Sequence, residues 1–146
     1  MKFDLKSFFQ SSPEKGPPDE QAQRLAVTQL LLEIARADLN TDPREIATIR
    51  TLLAQAYGLD DAALDELMQT AGARVDKAVS LYDTVEVLNQ RLDAAGKARL
   101  MRALWQVAYA DGRLDPHEEA MLRRLADLLY VSHDTFIQEK LRLLEG

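Results

Sequence analysis

The stretch Ala110-Asp-Gly-Arg-Leu-Asp-Pro-His-Glu118 occurs twice in this chain, and that recurrence limits the possible folds more than any other feature. The earlier copy, Ala37-Asp-Leu-Asn-Thr-Asp-Pro-Arg-Glu45, lies 73 positions upstream and shares the pattern A-D-x-x-x-D-P-x-E. Likeness continues on both sides. Ile34-Ala35 matches Val107-Ala108 before the loop, and Ile49, Leu52 and Tyr57 match Leu122, Leu125 and Tyr130 after it. Each copy has the form of an apolar helix, an acidic elbow and an amphipathic helix.

The spacing around the elbows predicts seven helices. Asp19 offers an N-cap for a helix over 20–37, apolar on most sides through Leu25, Val27, Leu30, Leu31, Leu32, Ile34 and Ala35, as befits the middle of a bundle. Ile46, Ile49, Leu53 and Ala56 form one stripe on a second helix, ended by Tyr57-Gly58 with Gly58 as a left-handed cap. Asp60 or Asp61 caps a third, carrying Leu64, Leu67 and Met68 and closing near Gly72. A fourth, over 74–92, places Val75, Val79, Tyr82, Val85 and Leu92 on one side and has no counterpart in the repeat. The fifth, over 94–110, is apolar almost all round and includes Trp105 as a core residue. The sixth carries Leu122, Leu125, Ala126 and Leu129; the seventh, capped by Ser132, brings Phe136, Ile137, Leu141 and Leu144 to the core. No alternating run signals a strand. The expected fold is all-α, a duplicated seven-helix bundle with an internal pseudo-two-fold.

Residues 1–18 stand apart from a helical domain over 19–146. Met1–Gln10 holds Phe3, Phe8 and Phe9, three of the four phenylalanines, and Ser11–Pro18 is a Pro/Gly-rich linker. The arm suits packing on its own domain, a hook for another chain, or an anchor at a membrane surface, with two lysines too few to favour the last.

Chemistry is constrained mostly by exclusion. Without cysteine there is no disulfide, thiolate metal site or cysteine nucleophile. A net charge of −6 argues against nucleic acid as a partner and agrees with cations or basic proteins. There is no apolar run long enough to span a membrane and no signal-peptide core, so the expected location is the cytoplasm. No nucleophile motif or phosphate loop is present, and no enzyme is expected.

The elbows admit two accounts. Asp42 and Asp115 occupy N-cap positions, Pro43 and Pro116 the first helical position, and Glu45 and Glu118 the third, as in a capping box. Structure alone explains that choice. Asp38 and Asp111 are different, because each ends a helix where the dipole disfavours negative charge. Their compensation is turn N–H groups, an arginine (Arg36, Arg44 or Arg113), or a hard cation such as Ca²⁺, Mg²⁺ or Mn²⁺. Asp38-x-Asn40-x-Asp42 imitates the opening of an EF-hand, but Pro43 holds the glycine position and Ile49 the closing glutamate position. His117 is expected as an exposed second residue of its helix.

At these elbows the sequence resembles the TerB-like family, over roughly residues 20–145. Val107-Ala-Tyr-Ala-Asp-Gly-Arg-Leu-Asp-Pro-His-Glu118 is similar to that family's A-x-A-D-G-x-x-D-x-x-E signature. The first copy matches except that Leu39 stands where the family has Gly. The resemblance implies a duplicated helical bundle and a non-enzymatic bacterial protein of metal or chemical stress, with a metal-binding acidic cluster and partners at the membrane. Carried over by position, the cluster is Asp38, Asp42 and Glu45 with Asp111, Asp115 and Glu118; Glu33 matches a frequent family acid that Gln106 replaces in the second copy. The alternative is a protein-interaction scaffold whose carboxylates serve only as caps and turn acceptors.

Overall fold

A helix with Leu, Val and Ile on most faces must sit where other helices surround it. The computed structural model describes residues 18–37, 41–78 and 80–145, and among them every regular element is an α-helix. These are α1 (Pro18–Ala35), α2 (Pro43–Tyr57), α3 (Asp61–Asp76), α4 (Leu81–Arg91), α5 (Ala94–Ala108), α6 (Pro116–Leu128) and α7 (His133–Glu145). Helix α1 packs against α2, α3, α4, α5 and α6, and α5 packs against α1, α2, α6 and α7. The remaining contacts are α2 with α3, α4 with α6, and α6 with α7. Leu30, Ile34 and Ala35 of α1 and Leu100, Met101, Leu104 and Trp105 of α5 are wholly buried in the resulting core. No helix among the described residues is long and apolar enough to cross a membrane.

Helix ends follow the cap chemistry. Asp42, Asp60, Ser80, Asp93 and Asp115 each accept a backbone N–H of the first turn. Gly58 closes α2 in the left-handed region with φ 66°. Ser132 Oγ accepts the Thr135 N–H at 3.2 Å, opening α7.

Several expectations need correction. α1 begins at Pro18, so Asp19 lies inside the helix rather than before it; proline at a helix start costs no hydrogen bond. α3 continues through Gly72 to Asp76. Gly72 is a contact residue: a Cβ there would stand 3.2 Å from Arg36 Nη2, and Arg36 crosses that spot to pair with Asp76. The chain leaves α3 at Ala78, itself left-handed with φ 54°, and α4 starts only at Leu81. Val79 lies outside the described residues. Tyr82 is exposed, as are Leu141 and Leu144, so none of the three is core. Tyr57 is buried while its repeat partner Tyr130 is 82% exposed. The arm, residues 1–17, lies outside the described residues.

Polar side chains also enter the interior. Gln29 Oε1 accepts from Arg74 Nε at 2.9 Å and from Thr84 Oγ1 at 3.1 Å, joining α1, α3 and α4. Gln23 Oε1 accepts from Arg91 Nε at 2.7 Å, and Arg91 Nη2 reaches Glu20 at 2.7 Å. Helix α4 is therefore tied to α1 through polar brackets, while its Val85 and Leu88 are buried in the core.

Candidate metal centre

The second elbow joins α5 to α6. α5 stops at Tyr109, and Gly112 takes φ 83°, a conformation a side chain resists. The turn brings the Arg113 N–H onto Asp111 Oδ1 at 2.9 Å. A turn N–H thus offsets the unfavourable dipole at this helix C-terminus, the local form of compensation. Asp115 Oδ1 then accepts the His117 N–H at 2.7 Å, and Asp115 N–H donates to Glu118 Oε1 at 3.4 Å, completing a capping box. The His117 N–H, and secondarily its ring, hold the Asp115 carboxyl below its ordinary range. His117 is exposed, as expected, with Nδ1 3.1 Å from Asp115.

The first elbow uses a cation of its own. Asp42 Oδ1 accepts the Arg44 N–H at 2.7 Å and Arg44 Nε at 3.2 Å, and Oδ2 accepts Arg44 Nη2 at 3.0 Å. This two-oxygen fork lowers the Asp42 carboxyl pKa and raises that of Arg44. Asp42 contributes most to the Arg44 shift, and Asp111, from the other elbow, and Glu45 add to it. The two elbows therefore lie within electrostatic reach of one another, with the Arg44 guanidinium in both fields. Asp38, Leu39 and Asn40 lie outside the described residues.

Glu45 and Glu118, third in their helices, are both only 2% exposed. The repeat gave their position, but a cap residue ordinarily stays wet, and nothing in the spacing announced such burial. Glu33, on the inner part of α1, is half-buried; desolvation pushes its carboxyl pKa up, against the charges of Arg36 and Arg124. Of the arginines considered as elbow partners, Arg36 pairs with Asp76, Arg44 holds Asp42, and the Arg113 backbone N–H reaches Asp111.

Six carboxylates with no sulfur or ring nitrogen among them are hard donors, suited to Ca²⁺, Mg²⁺ or Mn²⁺. Among the described residues, no three His, Asp or Glu side chains are gathered as a metal-holding group. A cation at the first elbow would take the place of the Arg44 guanidinium on Asp42.

The family model described as Tellurite resistance protein TerB matches residues 24–141, a span holding both elbows and all but the ends of the bundle. Comparison with curated proteins and with solved structures gave no match. On that match over most of its length, the chain belongs to the TerB family.

Proposed function

We propose that this chain is a non-enzymatic TerB-family module that binds a divalent cation through its paired acidic elbows, in a bacterial response to metal or chemical stress. The observation that carries the reading is Arg44, a guanidinium held by Asp42 and felt by Asp111 of the other elbow. A built-in counter-ion marks where positive charge is favoured. A divalent cation delivers twice that charge, and on its arrival Arg44 swings out to solvent. Asp42, Asp111 and Asp115 would supply ligands with Asp38, while the buried Glu45 and Glu118 brace the helix starts beneath them.

The elbows act as equivalents in this reading, related by an internal two-fold. Its support is that exchanging α1, α2 and α3 for α5, α6 and α7 leaves the set of contacts among those six helices unchanged. The sequence repeat maps α1 and α2 onto α5 and α6.

A second reading rests on a different observation. Asp42, Asp111 and Asp115 each already accept an N–H from their own turn. On that basis the carboxylates are fold elements, and the module is a scaffold for another protein.

Thermal melts separate the two. A cation binding only the folded state, at 100-fold above its Kd, stabilises by about 2.7 kcal/mol. For a domain of this size the midpoint rises by about 5–11 °C. Saturating Ca²⁺, Mg²⁺ or Mn²⁺ at matched ionic strength should produce that rise. Arg44→Ala should enlarge it at subsaturating cation, and Asp111→Asn should remove most of it. No specific shift with any of the three, together with an Asp111→Asn variant less stable from the start, would leave the scaffold.

A further inference from the structure

A surface groove lies away from the elbows, between the first turns of α1 and the length of α3. It encloses about 420 Å³ and is lined by Gln21, Arg24, Leu25, Leu59, Ala63, Glu66, Leu67 and Thr70. Leu25, Leu59 and Leu67 are partly buried against the core and form its apolar floor. Its volume falls within the range of small-ligand pockets, with room for more than one aromatic ring.

We propose that residues 1–10 of the same chain dock here, with Phe3, Phe8 and Phe9 on the apolar floor. Three observations select this occupant. The first is attachment: α1 begins at Pro18, and Gln21, on the groove, follows within one turn. Pro18 lies nine positions after Phe9, enough to span roughly 30 Å when extended. The second is apolar content. Three of the chain's four phenylalanines fall in this segment, and the fourth, Phe136, is already buried in the core. The third is charge. Glu66 in the lining and Asp60 and Asp61, which follow Leu59 in the chain, are exposed and outnumber the lining cation Arg24, whereas the segment carries Lys2 and Lys6 against a single acid, Asp4. Phenylalanines seat on the leucines while the lysines face an acidic rim. A tethered ligand needs only modest intrinsic affinity, because its effective concentration is set by a short linker. Docking of this kind makes the groove self-occupied and open to any partner able to displace the arm.

The absence of cysteine makes the test direct. In the full chain, Gln10→Cys is combined with Ala63→Cys or, separately, Thr70→Cys, to sample different parts of the groove. Disulfide formation under a glutathione buffer is followed with and without the triple change Phe3→Ser, Phe8→Ser and Phe9→Ser. The expected result is an intramolecular disulfide in at least one pair, formed roughly tenfold faster when the phenylalanines are present. Equal rates with and without them would reduce the contact to tethered collision and overturn the proposal. A dimer-sized product would also overturn it, assigning the groove to a second copy's arm. So would failure of both pairs to close.

Discussion

Arg102 Nε donates to Glu139 at 2.7 Å across the α5–α7 contact, pairing a half-exposed guanidinium with a carboxylate side chain that is 5% exposed. Arg142 stands farther off, 3.9 Å from the same group. Removing Arg102 leaves a buried charge poorly paired, whereas removing both partners leaves none. Arg102→Met should lower stability by roughly 1–3 kcal/mol. Adding Glu139→Met should recover most of the loss, because an apolar pair of similar volume avoids the desolvation cost. Urea unfolding of both variants checks this, and a double variant as weak as the single would refute it.

The caps provide a pH-dependent test. Asp42→Ala and Asp115→Ala should each lower the melting midpoint at pH 7 by roughly 2–4 °C, with Asn at either site retaining most of the cap. Both carboxyls are held below the ordinary value of 3.8 in the folded state, so their stabilisation is present above that pH and fades as pH falls through the folded values. The gap between wild type and each alanine variant should therefore narrow below pH 3.8. A gap unchanged by acid would show that the charge plays no part.

Glu33 carries the opposite sign. Its folded pKa is raised above 4.5, so the folded state favours the protonated form; that contribution is whole below 4.5 and is lost as pH rises through the folded value. Glu33→Gln should melt higher than wild type at pH 7, with the advantage disappearing below pH 4.5. A variant less stable at pH 7 would mean that attraction to Arg36 and Arg124 outweighs desolvation.

Two glycines should respond in opposite directions to alanine. Gly112 has open space around a Cβ but φ 83°, so Gly112→Ala should cost roughly 1–2 kcal/mol of backbone strain. Gly72 is helical, and its Cβ would meet only the tip of the Arg36 side chain, at 3.2 Å. That tip pairs with an exposed aspartate and can shift. Gly72→Ala should then stabilise by roughly 0.5–1 kcal/mol. Denaturant melts read both, and a destabilised Gly72→Ala would show that Arg36 is fixed where it lies.

The helices were legible because their signals are local. Asp-Pro, Gly58, Ser132 and the apolar stripes each act within a turn or two. What escaped depends on distant parts of the chain. Gly72 looks like a terminator until Arg36, thirty-six positions earlier, is seen to lie against it. Gln29 carries no sign of burial until Arg74 and Thr84 meet it. Leu141 and Leu144 keep helical spacing, yet among the described elements α7 touches only α5 and α6, and both leucines are exposed. At the elbows, spacing identified Asp42 and Asp115 as caps, while the reach of Asp111 to Arg44 required the two loops to be brought together.

The central place of α1 also sets an order of events during synthesis. The helix is the first of the described elements to emerge, but its neighbours include α5 and α6, the latter ending at Leu128. A nascent chain halted before α5 holds α1 without two of the helices that later pack on it. Such an intermediate is adhesive, and its lifetime is the translation time from Ala94 to Leu128, a few seconds at roughly 5–20 residues per second. Completion of the core waits on α5 and α6, and any pause before them prolongs the interval in which the chain is prone to aggregate.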